Sequence, residues 1–116
     1  MRAALYFVEL AVTDWPAAVR WYQDVLGLEL LARDEAEQFA LLAASGARLA
    51  LKGADAPASG ARLVFEVEGL AEWGNRLREK GVKVEGRVKA SAEGYRRVKL
   101  RGPEGAAITL FEWGEA

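Results

Sequence analysis

The 116-residue chain is 52% apolar and 28% charged, and its 16 basic side chains face 17 acidic ones. It contains neither histidine nor cysteine, which excludes the usual zinc sites, iron–sulfur clusters, 2-His-1-carboxylate iron centres and the cysteine and serine–histidine nucleophiles. The balanced charge leaves no surplus of cations for phosphates, so nucleic acid is not an expected partner, and the length suits one domain with a real core.

The opening run from Met1 to Glu9 carries a glutamate inside its apolar stretch and no small-residue cleavage site, unlike a secretory signal. No run reaches the roughly 20 apolar residues of a membrane span. A soluble, cytoplasmic protein without membrane contact is the expectation. Alternation predicts a first strand over Val8–Val12, followed by a helix opened by Thr13-Asp14-Trp15-Pro16. Asp14 is a good N-cap, and Pro16 is tolerated where amide hydrogens lack helical partners. Trp15, Val19, Tyr22 and Leu26 recur at helical spacing and Gly27 closes the helix, since glycine accepts the left-handed conformation. Trp21 and Tyr22 read as helix packing. Strands follow over about Leu28–Arg33, Phe39–Ala44 and Ala47–Lys52.

Residues 53–60 form a linker rich in Gly, Ala, Pro and Ser. Beyond it the pattern repeats with an offset of about 54 residues: a strand over Leu63–Val67, a helix entered through Glu68-Gly69-Leu70 and closed by Gly81, then strands over Val82–Lys89, Tyr95–Arg101 and Ala106–Trp113. Leu70, Trp73 and Leu77 form the apolar face of this second helix. The chain reads as a β-α-β-β-β module made twice: a single domain over residues 1–116, with module one at about 5–52 and module two at about 61–113.

Leu10-Ala11-Val12-Thr13-Asp14 followed by Val19-Arg20-Trp21-Tyr22-Gln23-Asp24-Val25-Leu26-Gly27-Leu28 resembles the opening of the vicinal-oxygen-chelate superfamily. That group includes glyoxalase I, extradiol dioxygenases and the fosfomycin- and bleomycin-resistance proteins. Gly102-Pro103-Glu104-Gly105 leading into Ala106-Ala107-Ile108-Thr109-Leu110-Phe111-Glu112 resembles its ending, with Gly102 where an aspartate is usual. The resemblance spans essentially the whole chain. It implies an α+β fold in which two tandem βαβββ modules form a curved, cup-like mixed sheet with helices on the outer face. It further implies a homodimer, because single-chain members of this length generally dimerise. The family's four metal-ligand positions fall on Phe7, Ala50, Arg62 and Thr109. None of these side chains can serve there as the family's ligand, so a metal-free member is expected, with no metal, no cofactor and no metal-dependent glyoxalase or dioxygenase activity.

Strand alternation sorts the residues onto the two faces of such a sheet without reference to the family. Leu10 and Val12, Leu49 and Leu51, Leu63, Phe65 and Val67, Val98 and Leu100, and Ile108 and Leu110 share one apolar face. The opposite face carries Phe7, Glu9, Ala11, Arg48, Ala50, Lys52, Arg62, Val64, Glu66, Arg97, Lys99, Thr109, Phe111 and Trp113. With five cations against two carboxylates its net charge is +3, which suits a small ligand with an apolar or planar body and an anionic group. Phe7, Glu9, Arg48, Arg62, Arg97, Phe111 and Trp113 are the ligand-binding candidates. A charged strand face is also commonly just a solvated one.

Three functions fit these features. The first is a metal-independent protein that binds or sequesters an aromatic or anionic small molecule, similar to the drug-sequestering branch of the superfamily. The second is a metal-independent isomerase or lyase using Glu9 or Glu66 as general base, although pairing of these carboxylates with Arg62 or Arg48 is the favoured alternative for them. The third is a structural or regulatory domain whose cup is filled.

Overall fold

The computed structural model describes residues 1–90 and 94–114. Its elements run β1 (Val8–Val12), α1 (Trp15–Asp24), β2 (Glu29–Asp34), β3 (Phe39–Ala44), β4 (Ala47–Gly53), β5 (Arg62–Glu66), α2 (Leu70–Glu79), β6 (Val84–Ala90), β7 (Tyr95–Arg101), a 3-10 turn at Pro103–Gly105, and β8 (Ala107–Trp113). The fold is α+β, and the expected βαβββ order occurs twice. The chain parts into two compact units, Met1–Ala58 and Ser59–Ala116.

In the first unit the sheet order is β1-β4-β3-β2. β1 runs parallel to β4, and the other neighbours are antiparallel. A parallel pair needs a long crossover, which α1 and the β2–β3 hairpin supply. Alternation along the strands buries Leu10 and Val12 of β1, Ala40 and Leu42 of β3, and Leu49 and Leu51 of β4. Over this apolar face lies α1, with Trp15, Ala18, Val19 and Tyr22 buried. The indole Nε1 of Trp15 donates to the Leu51 carbonyl at 3.0 Å, so this ring is buried without an orphaned donor. Asp14 caps the helix as expected, accepting from the Ala17 amide at 3.3 Å. Regular helix stops at Asp24, but Gly27, with φ of 72°, still closes it by donating to the Gln23 carbonyl at 3.1 Å, a left-handed end that glycine favours.

The second unit repeats the arrangement, with sheet order β5-β8-β7-β6 and β5 parallel to β8. Val98, Leu100, Ile108 and Leu110 are buried together with Leu70 and Leu77 of α2, while Leu63 and Phe65 on the edge strand are half-buried. Two expectations need correction. Trp73 is half-buried rather than core, and the Arg76 guanidinium lies 5.5 Å from its ring centroid; Trp21 on α1 is likewise half-buried, edge-on to the buried Tyr22 at 5.1 Å.

The start of α2 is built differently from that of α1. Gly69, at φ of 74°, has no side chain with which to cap. The cap comes instead from β8: the Glu112 carboxylate accepts from the Gly69 amide at 2.6 Å and the Leu70 amide at 3.2 Å. A carboxylate suits a helix N-terminus, where unpaired amides and the helix dipole both favour negative charge. Arg96 of β7 completes the arrangement, its Nη2 donating to Glu112 at 2.7 Å.

Candidate functional site

Each helix covers one face of its sheet, and the side chains between the buried ones on each strand stand on the other face. In the second unit this open face is laid out by the β5-β8-β7 register. Trp113 lies across from Tyr95, Phe111 from Arg97, and Thr109 from Lys99. Val64 and Glu66 on β5 sit beside Thr109 and Phe111. These strands enclose a pocket of about 320 Å³ lined by Arg62, Val64, Tyr95, Arg97, Lys99, Thr109, Phe111 and Trp113, a size within the range of small-molecule sites.

One end of the pocket is aromatic. Phe111 and Trp113 meet edge to face at 5.5 Å, and Tyr95 is edge-on to both at 5.7 and 5.6 Å. Such perpendicular packing is favoured by the ring quadrupoles. Trp113 nevertheless remains 58% exposed. The other end is cationic. Arg62 donates through Nη1 to the Thr109 hydroxyl at 3.0 Å, and Arg97 and Lys99 project beside it, half-buried. Among the described residues no carboxylate lines this pocket. Glu85, across from Lys99 on β6, accepts from Arg101 at 2.7 Å, and Glu112 lies on the helix-covered side.

Of the residues singled out from sequence, Arg62, Arg97, Phe111 and Trp113 therefore share one pocket. Phe7, Glu9 and Arg48 belong to the first unit. There Phe7 is half-buried between Tyr6 and Phe39, with ring centroids 5.7 and 5.9 Å away. Arg48 donates to the Tyr6 carbonyl at 3.0 Å and lies 4.3 Å over the Tyr6 ring. Glu9 is exposed, and Glu66 is exposed at the end of β5 outside the pocket. The arginines proposed as their partners are engaged elsewhere, Arg48 by Tyr6 and Arg62 by Thr109. Tyr95 is the pocket residue that sequence reading missed. Counting back two residues from Arg97 on β7 places it on the same face, so alternation alone carried the signal.

The donor set at the family's metal positions does not suit a metal. Phe7 and Ala50 are apolar, and Ala50 is fully buried. Arg62 is a cation whose own hydrogen bond consumes Thr109. Among the described residues no group of three Asp, Glu, His or Cys side chains is placed to hold a metal ion. Among the same residues, no helix is long and apolar enough to cross a membrane.

Residues 4–110 match the profile of the Glyoxalase/Bleomycin resistance protein/Dioxygenase superfamily. Several solved structures share the fold. An integron cassette protein from the mobile metagenome of the Halifax Harbour sewage outfall is 23% identical with a TM-score of 0.82, over 94% of this chain and 97% of its own. TnmS3, an antibiotic binding protein from Streptomyces sp. CB03234, is 23% identical with a TM-score of 0.82, over 97% and 98%. Lactoylglutathione lyase from Agrobacterium tumefaciens is 24% identical with a TM-score of 0.78, over 96% and 94%. No curated protein matches the chain.

Proposed function

The chain belongs to the Glyoxalase/Bleomycin resistance protein/Dioxygenase superfamily, and from that membership we propose that it is a metal-independent small-molecule-binding protein, working as a homodimer, whose ligand sits in the pocket on the open face of its second sheet. The observation that carries this reading is the pocket's lining: three edge-to-face aromatic rings at one end, three cations at the other and no carboxylate among the described residues. Such walls can hold and orient a ligand by ring contact and charge-assisted hydrogen bonds. They offer no carboxylate base, because a general base must stand within hydrogen-bond reach of its proton and neither Glu9 nor Glu66 lines the pocket. Of the roles carried by structural neighbours, antibiotic binding fits this lining better than the lyase role.

Quenching of tryptophan fluorescence, screened over aromatic carboxylates and natural-product antibiotics, tests the proposal. At least one compound is expected to quench saturably and to raise the melting temperature by mass action. Chelation is expected to leave both effects unchanged. If no compound moves the signal and Trp113→Phe alters nothing, the proposal fails.

A further inference from the structure

We infer that the ligand of this pocket is a planar aromatic carboxylate, held with its ring against Phe111 and Trp113 and its carboxylate among Arg62, Arg97 and Lys99. This rests on the reading that the pocket takes a small molecule, and adds the charge of that molecule and its direction along the strands.

The register fixes the direction. Moving along β8 and β7, the paired rows are Trp113 with Tyr95, Phe111 with Arg97, and Thr109 with Lys99. Rows on one face of a strand are spaced roughly 7 Å apart. The Lys99 row therefore stands roughly 7 Å from the Phe111–Arg97 row and roughly 14 Å from the Trp113–Tyr95 row, so a flat ring against Phe111 and Trp113 points its far end past Arg97 toward Lys99. Arg62 reaches the same end from β5, anchored by Thr109 at 3.0 Å. That bond uses one N–H of the guanidinium, leaving further donors in the planar fork that matches a carboxylate.

Charge points the same way. Arg97 and Lys99 have no carboxylate partner among the described residues, although both are half-buried. The nearby carboxylates are taken up by Arg101 and by Arg96 with the α2 amides, or, as Glu66, are exposed outside the pocket. Like charges held together at reduced hydration repel, and an anion placed among them relieves that repulsion. At the other end a 58% exposed Trp113 gains from covering by a flat ring. A cationic ligand meets three like charges and no carboxylate on these walls among the described residues.

The test is calorimetric titration of the whole chain with three probes of one shape: naphthoate, naphthamide and naphthylmethylammonium. Naphthoate is expected to bind at least about tenfold more tightly than naphthamide, as befits hydrogen bonds to a charged group. Naphthylmethylammonium is expected not to bind. Added salt should weaken naphthoate and leave naphthamide unchanged. Arg97→Gln and Lys99→Gln are each expected to weaken naphthoate about tenfold or more while melting like the parent, since neither substitution strands a carboxylate among the described residues. Trp113→Ala should weaken naphthoate and naphthamide alike. Equal affinity for naphthamide, or naphthoate affinity retained in both charge variants, overturns the inference and leaves the pocket a binding site. Silence from all three probes also overturns it; the broader reading falls only if the antibiotic screen is silent too.

Discussion

Burial pushes the Tyr22 phenol up to about 12 from its ordinary 10.0, because the phenolate is poorly hydrated beneath the sheet while the neutral ring packs well. Above pH 10 the unfolded chain gives up this proton while the folded chain keeps it, so the stability Tyr22 confers is whole below pH 10 and is lost as pH rises through 12. At about 1.4 kcal/mol per unit, the loss is on the order of 3 kcal/mol. An absorbance titration should therefore show one phenol ionising only as the protein unfolds, and Tyr22→Phe should abolish that late step while extending the alkaline limit of stability. A Tyr22 that ionises at its ordinary value in the folded protein refutes this account. Arg62 brings a fixed positive charge to the pocket, steadied by its bond to the Thr109 hydroxyl.

At the scale of elements, the two helices have the same place in their modules but are capped by unlike means. α1 carries its own cap at Asp14, whereas α2 depends on Glu112 from a strand 43 residues away from Gly69. The Glu112 carboxyl is held below its ordinary value chiefly by the Gly69 and Leu70 amides, which outweigh the opposing desolvation, with Arg96 adding a lesser pull in the same direction. A lowered folded-state value means stability that is present above the unfolded carboxyl range near 4 and is lost as pH falls through the folded one. Glu112→Gln should thus melt several degrees lower than the parent at pH 7, with the gap closing on acidification below pH 4. A constant gap would show that shape, not charge, does the capping. This contrast also explains what could be read from the sequence. α1 was legible because cap, apolar face and closing glycine lie within fifteen consecutive residues, and the strand faces were legible because alternation is local. The α2 cap, the Arg62–Thr109 bond and the engagement of Arg48 by Tyr6 all join residues more than forty apart, and no local pattern announces them. Seven of the eight pocket-lining residues were visible as alternation, all but Tyr95; which cations lack a carboxylate partner was a matter of tertiary contacts.

At the scale of the whole molecule, the strand edges bear on the proposed homodimer. Each sheet has two outer strands: β1 and β2 in the first unit, β5 and β6 in the second. β2 and β6 carry the devices that discourage further pairing: register shifts at Leu30/Ala32 and Glu85/Lys89, with Glu29, Arg33, Asp34, Glu85 and Lys89 along them. β1 and β5 run in unbroken register with their inner neighbours and expose Val8 at 43% and Val64 at 57%. Although Glu9 lies on β1 and Arg62 and Glu66 on β5, an edge in regular register with exposed β-branched side chains is suited to accept another strand. The expectation is that sedimentation equilibrium finds a dimer at micromolar concentration. Hydrogen exchange should show amides of β1 and β5 losing protection on dilution while those of β4 and β8 do not, because the inner strands are paired on both sides within their own sheets. A monomer at micromolar concentration, with β1 and β5 exchange independent of dilution, rules the dimer out, and because the pocket is lined wholly by the second unit, ligand binding should survive that outcome.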